Sequence, residues 1–326
     1  MTQLLRTEPP RRDLEEWLAR LGHSARRIEP LTGDVSPRRY FRVLTGDGED
    51  AILATYPEEV RGACERFLRT TALLEGAGVR VPRVLAAACD RGWMLVEDLG
   101  SRTLADYRDR PWSELARWFE QALCWLPRIT GLPAAEVAAV NPALDGELMR
   151  RELRQTWDLF LAPRGLTGGP ALTAALQAAL DLLCERLAAA PPAPCHRDYM
   201  SRNLMPVDEP AGLAVLDHQD LRLGPPEYDL ASLLNDTLFP PPEVEEALLA
   251  ASGADRTRYH RAAAQRTLKA VGTYTSFSLR GAHRHLPLIP PTLSRCLDHL
   301  SRIPEGAPLA EELGQVWAPV LEPAVS

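Results

Sequence analysis

Near residue 100 the hydrophobic period of this chain changes, and few architectures accommodate both halves. Up to that point apolar residues come in short alternating runs bounded by turn residues; from Leu104 onward they recur at helical spacing. YFRVLTGDGEDAILATYP (40–57) is two such runs around Asp47-Gly48 and reads as a hairpin. VPRVLAAACDRGWMLVEDLG (81–100) repeats the pattern around Asp90-Arg91-Gly92. Between them EEVRGACERFLRTTALLEGAG (58–78) has a helical period and stops at Gly76 and Gly78. A first helix is expected to start at Asp13, with Glu16 completing a capping box and Leu14, Trp17, Leu18 and Leu21 following at helical spacing. LTGDVSPRR, upstream of Tyr40, reads as a loop. The helical half is interrupted near 193–219, where NLMPV and GLAVLD suggest a short hairpin. The fold class expected is α+β. A small antiparallel-sheet lobe occupies residues 1–98, a larger, mainly helical lobe occupies 99–326, and a ligand cleft lies between them.

Bulk properties narrow the function. A chain of 326 residues, 45% hydrophobic and 25% charged, can bury the cores of two lobes. Its formal charge of −7 gives no reason to expect nucleic acid or an anionic membrane as partner. No apolar run approaches the ~18 residues of a membrane helix, and MTQLLRTEPPRRDLEEWL lacks a signal core. A cytoplasmic, monomeric protein is expected. Cys64, Cys89, Cys124, Cys184, Cys195 and Cys296 lie far apart without a C-x-x-C pair, so reduced and mostly buried thiols are expected.

The chemistry concentrates in CHRDYMSRNLM (195–205) and VLDHQD (215–220). His196-Arg197-Asp198 with Asn203 five residues after the aspartate, followed by a hairpin and the strand-terminal Asp217, has the order of a phosphoryl-transfer site. Such a reaction needs an acceptor for the hydroxyl proton, which suits Asp198. It also needs hard oxygen ligands for the metal on the nucleotide, which suits Asn203 and Asp217. A metal hydrolase built from His196, Asp198, Asp217, His218, His283 and His285 is a competing arrangement. His283 and His285 lie in a helical pattern, project to different sides of it, and are expected to be solvated.

GDVSPRRYFRV (33–43), GVRVPRVLA (78–86), LVEDLG (95–100), RREL…LF (150–160), CHRDYMSRNLM, VLDHQD, GPPEYDLASLLND (224–236) and QRTLKAVGTY (265–274) occur in that order. Together, over roughly residues 12 to 300, they resemble the aminoglycoside phosphotransferase superfamily. Within it the chain is most similar to the anomeric kinases that phosphorylate N-acetylmuramate and N-acetylglucosamine in cell-wall recycling. The resemblance implies a protein-kinase-like two-lobed fold, ATP and Mg²⁺ as cofactors, and a small amino sugar as substrate. It implies Asp198 as general base, Asn203 and Asp217 as metal ligands, and Glu97 to Leu99 as a hinge whose backbone meets adenine. Asp229, with His196, would brace the catalytic loop; as a helix cap Asp229 would serve LASLLND equally well. Two departures stand out: the family pattern has His where Met200 stands and Phe where His218 stands.

Kinases of this general type use a lysine on an early strand, yet the single lysine here is Lys269, far downstream, and Ala54 or a neighbour occupies the strand position. Either the chain is an inactive nucleotide-binding module or arginines replace the lysine. Arg38, Arg39 and Arg42, with Ser36 beside them, are the candidates, since guanidinium binds phosphate bidentately. The sugar-kinase family also lacks this lysine, which favours an active enzyme. For the acceptor, ELMRRELRQTWDLF (147–160) puts Met149, Leu153, Trp157 and Phe160 on one helix face and leaves Arg151 or Arg154 to meet a substrate carboxylate. An aminoglycoside or other small alcohol is the alternative acceptor.

Overall fold

The structure, a computed structural model, describes residues 11–23, 25–31, 37–45, 50–208 and 211–321. Five strands, β1 (Ala25–Leu31), β2 (Arg39–Thr45), β3 (Ala51–Thr55), β4 (Val84–Ala88) and β5 (Trp93–Glu97), form one antiparallel sheet in the order β1-β2-β3-β5-β4. Helices α1 (Arg11–Arg20) and α2 (Gly62–Gly76) cover its two faces. Strand alternation decides which side chain meets which helix. Ala51 and Leu53 of β3 bury with Leu14, Trp17 and Leu18 of α1, whereas Ala54 and Tyr56 bury with Cys64 and Phe67 of α2.

Both expected hairpins are present, with Tyr40 opposite Ala54 and Ala87 opposite Met94. The Asp47-Gly48 turn lies outside the described residues, as does Ser36. Three expectations need correction. β1 was not expected: ARRIEPL carries three charges and Pro30, which an edge strand tolerates because one side of it needs no partner. α1 already runs at Arg11, so Asp13 sits in its first turn and Glu16 pairs with Arg12 at 2.9 Å, where a capping box was expected. Cys64 and Cys89 form a disulfide, where free thiols were expected. α2 packs on the sheet beside the end of β4 and brings their Cα atoms to 5.5 Å. Cys184, Cys195 and Cys296 are buried free thiols as expected, while Cys124 is exposed.

The second lobe is helical: α3 (Trp112–Thr130), α4 (Ala134–Ala138), α5 (Gly146–Thr156), α6 (Pro170–Ala188), α7 (Tyr228–Leu234), α8 (Pro242–Ser252), α9 (Arg256–Leu279), α10 (Ile289–Ser301) and α11 (Ala310–Leu321). They share a continuous core that includes Phe119, Met149, Leu183, Val271, Leu293 and Trp317. Within this lobe β6 (Ala193–Cys195) pairs with β9 (Arg222–Gly224), and β7 (Leu204–Asp208) forms the expected hairpin with β8 (Ala211–Val215).

Two contacts position the site. α5 and α9 cross at Gly272, where a Cβ would lie 2.2 Å from the Thr156 hydroxyl; that hydroxyl donates to the Leu268 carbonyl at 2.8 Å. Only glycine allows this approach. The lobes meet where Val215 N–H donates to the Arg80 carbonyl at 2.8 Å and where Phe67 and Thr70 of α2 pack on His218. Among the described residues no helix is long and apolar enough to cross a membrane.

Candidate active site

β6 delivers the chain into a sharp turn. The backbone N–H groups of His196 and Arg197 donate to the buried Asp229 carboxylate at 2.6 and 2.8 Å. Asp229 lies one residue inside α7, whose cap is Glu227, so it serves the loop and not the helix end. Arg197 adopts φ 75°, a left-handed conformation that costs on the order of 1–2 kcal/mol for a side-chain-bearing residue. The surrounding bonds hold it there. Ser232 Oγ donates to the Arg197 carbonyl at 3.2 Å, and the guanidinium reaches Glu152 at 2.7 Å. His196 is buried with Nε2 on the Leu216 carbonyl at 2.8 Å.

This turn presents Asp198, and the next five residues fold back on it. Asn203 Nδ2 donates to the Asp198 carbonyl at 2.8 Å, and Leu216 N–H donates to the Asn203 carbonyl at 2.8 Å. The β7–β8 hairpin then returns the chain to Asp217, itself at φ 58°. Its Oδ1 accepts from Arg38 Nη2 at 2.7 Å and from Gln219 Nε2 at 2.9 Å. Asp198, Asn203 and Asp217 thus line one cleft of about 440 Å³. Its far wall is α9, with Arg266, Lys269, Thr273, Tyr274 and Phe277.

Charge in the cleft is arranged around Asp198. Its Oδ1 lies 3.0 Å from Arg266 and 3.7 Å from Lys269. Burial opposes ionisation, but Lys269, Arg266 and Arg197 outweigh it and hold the carboxyl far below the usual carboxylate range. Burial also pulls the Lys269 ammonium down to about 8, against the pull of Asp198 and of Glu152, which lies 3.6 Å away.

Of the remaining candidates, Arg38 reaches the cleft and Arg39 and Arg42 do not line it. Arg39 lies over the Phe41 ring at 5.3 Å. Arg42 binds Asp98 at 2.5 Å and the Gly100 carbonyl at 2.9 Å, in a separate depression at the sheet edge that Glu97 also lines. The Glu97 carboxylate pairs with Arg80 at 2.7 Å, and its N–H is committed to the Arg83 carbonyl at 2.9 Å; Leu99 is half-buried just beyond. Arg151 and Arg154 are exposed and lie outside the cleft lining; Arg154 lines a surface depression with Trp157 and Asp158. The helical twist explains this: α5 turns Met149, Glu152 and Leu153 inward, which sends the two arginines to other faces.

The histidine expectation is half corrected. His283 is exposed, but His285 is buried and stacked on Tyr274, ring centroids 5.3 Å apart. Among the described residues no group of three or more His, Cys, Asp and Glu is placed to hold a metal ion, so the hydrolase arrangement does not assemble. Of the two family departures, Met200 lines the cleft, whereas His218 is buried against Phe67 and Thr70 between the lobes.

Sequence reasoning passed over Glu152, Arg202, Asp236, Arg266 and Lys269. A signal existed for four of them. Glu152 interrupts the inward stripe Met149, Leu153, Thr156, and Gln265, Arg266 and Lys269 form a polar stripe on a helix whose neighbours are apolar. Polar residues on an inward face demand buried partners. Asp236 ends the GPPEYDLASLLND segment and is almost fully buried.

Comparison with known proteins follows the same outline. A family model described as phosphotransferase enzyme family matches residues 27–264. An N-acetylmuramate/N-acetylglucosamine kinase of Pseudomonas aeruginosa is 34% identical over 267 residues, 80% of this chain and 74% of that protein. The protein of the same description from Pseudomonas putida is 32% identical over 309 residues, 89% of this chain and 88% of the relative. Among solved structures, choline kinase LicA from Streptococcus pneumoniae aligns with a TM-score of 0.63 at 14% identity, covering 89% of this chain and 98% of that one. The GDP complex of wild-type aminoglycoside 2'-phosphotransferase-IIIa aligns with a TM-score of 0.63 at 16% identity, covering 94% and 99%. These structures establish the two-lobed, protein-kinase-like fold.

Proposed function

Since this chain belongs to the phosphotransferase enzyme family, we propose that it transfers the γ-phosphoryl of ATP to the anomeric hydroxyl of N-acetylmuramate, N-acetylglucosamine or both. The observation that carries this reading is the meeting of Asp198, Asn203 and Asp217 in one cleft. The acceptor comes from the named activity of the relatives. The cleft's charge supports it: Arg38, Arg197, Arg202, Arg266 and Lys269 face Asp198, Asp217 and Asp236, a cationic excess inside a chain of net charge −7. Such a cleft suits an anionic nucleotide and repels a polycationic aminoglycoside.

Asp198 accepts the hydrogen bond of the acceptor hydroxyl and takes its proton. Arg266 and Lys269 keep that carboxylate ionised and therefore weakly basic. A loose phosphoryl-transfer transition state tolerates a weak base, because the hydroxyl needs orientation more than early deprotonation. Asn203 and Asp217 fit Mg²⁺: the amide nitrogen of Asn203 is committed to the Asp198 carbonyl, which leaves its oxygen for a cation. Asp217 has Oδ2 beyond the two hydrogen bonds on Oδ1. When bound, the ion would neutralise charge on the nucleotide phosphates. Arg38, brought to Asp217 from the start of β2, takes the place of the absent strand lysine as the N-lobe cation. A cytoplasmic location fits this reading, because ATP is its phosphoryl donor.

The test is ADP release with N-acetylmuramate, N-acetylglucosamine, kanamycin and choline, with products checked for the acid lability of a sugar 1-phosphate. Turnover of both or either amino sugar to an acid-labile product is expected. Turnover of kanamycin alone would overturn the acceptor and keep the fold.

A further inference from the structure

The two sugars of that reading differ at one substituent: N-acetylmuramate carries a lactyl ether ending in a carboxylate where N-acetylglucosamine has a hydroxyl. A residue that tells them apart must offer a cation on the acceptor side. All five cations in the cleft pair with a carboxylate, and they differ in what each pairing leaves open. Arg38 holds Asp217 at 2.7 Å and Arg197 holds Glu152 at 2.7 Å, while Arg266 and Lys269 converge on Asp198 Oδ1. Arg202 is the fifth.

Arg202 projects from the turn between Met200 and Asn203 towards α9. Its Nη2 and Nε grip the buried Asp236 at 3.0 and 3.4 Å, and Ser201 Oγ fixes Asp236 from below at 2.9 Å. Tyr274 supports the guanidinium at 5.8 Å from its ring centroid, and His285 stacks in turn on Tyr274. The opposite edge is less engaged: among the described residues Nη1 meets His285 Nδ1 at 3.5 Å, and a quarter of the side chain is exposed. Arg202 is therefore immobilised through one edge and presents the other. The added positive charge of Arg266 and Lys269 lets one guanidinium bridge Asp236 and a second carboxylate.

We propose that Arg202, seated on Asp236 and backed by Tyr274 and His285, receives the lactyl carboxylate of N-acetylmuramate and so sets the preference between the two sugars. This rests on the sugar-kinase reading and moves carboxylate recognition from the outer face of α5 to the cleft. It also gives a role to His285, which stacks on Tyr274 and meets Arg202 Nη1.

The experiment measures kcat/KM for N-acetylmuramate, for N-acetylglucosamine, and for N-acetylmuramate whose lactyl carboxylate is capped as the amide. In Arg202→Gln the ratio of N-acetylmuramate to N-acetylglucosamine efficiency should fall about 10- to 100-fold, the range of a charge-assisted hydrogen bond. Arg202→Lys should fall between the two. The same substitution should cost the amide no more than it costs N-acetylglucosamine, as a double-mutant cycle requires. An equal loss on both sugars overturns the proposal and leaves the function standing; turnover of neither sugar by the unmodified enzyme overturns both. The unmodified enzyme also provides a check that no folding defect can obscure: equal efficiency on the acid and its amide sinks the assignment.

Discussion

Among the described residues of the N-terminal lobe the buried polar side chains are threonines, Thr55, Thr70 and Thr71, and its ion pairs Arg42–Asp98 and Arg80–Glu97 are only partly buried. In the C-terminal lobe His196, Glu227, Asp229, Asp236, Arg266 and His299 are all buried. Burying a charge costs several kcal/mol unless partners compensate, and each of these groups meets a partner. Asp229 takes two backbone N–H groups, Asp236 takes Arg202 and Ser201, and Arg266 takes Asp198. The helical lobe thus accepts desolvation and holds the loop that carries Asp198 in one geometry. Among the described residues the sheet lobe buries no charged side chain as deeply, and it sends one cation, Arg38, to the cleft.

That contrast can be broken at its strongest point first. Asp198→Asn should lower kcat about 10³-fold, within the usual range for loss of a general base, and steady-state kinetics on either sugar measures it. Unchanged turnover would show that the base is misassigned. On the sheet side, Arg38→Ala should raise KM for the nucleotide about 10-fold, as expected for one lost ionic contact. Thermal unfolding is measured alongside, because Arg38 also lies over the Tyr40 ring at 5.8 Å and pairs with Asp217. A large stability loss there would mean that the N-lobe too depends on buried charge.

The smallest effect belongs to the seam between the lobes. Burial, reinforced by His196 and Arg38, pushes the His218 imidazole down to about 3, so the folded state keeps it neutral. Its ordinary value of 6.5 applies once the chain unfolds. The unfolded chain therefore binds the proton first. Stability is complete above pH 6.5 and erodes as the pH falls from there towards 3, by roughly 1 kcal/mol at pH 6 for one such group. His285, pushed down to about 4 by burial with Arg202 and Arg284, acts in the same direction. In His218→Phe, thermal unfolding between pH 7 and 5 should show a shallower loss. An identical slope would show that His218 ionises freely in the fold.

What could be read from the residues was local. The β2–β3 and β4–β5 hairpins follow from alternation and turn residues, and β1 escaped because its charges and Pro30 hide the alternation. Asp198, Asn203 and Asp217 were legible because a loop and a hairpin, two structures of short range, bring them into one cleft. Arg151 and Arg154 were misplaced for the opposite reason. Their helix was evident, but which face it turned to the cleft depended on α9, 112 residues away at the Thr156–Leu268 contact.

By itself the sequence determined the change from sheet to helix near residue 100, the β2–β3 and β4–β5 hairpins and the identity of the loop that carries Asp198. Hydrophobic period and turn chemistry act between near neighbours, so these are inscribed in the chain. Tertiary structure alone decided the rest. The crossing of α5 and α9 at Gly272 seats Glu152 beneath Lys269 and both beside Asp198, and the packing of α2 on the sheet joins Cys64 to Cys89. A helix period shows that one face is buried; only close packing against a distant helix determines what that face meets.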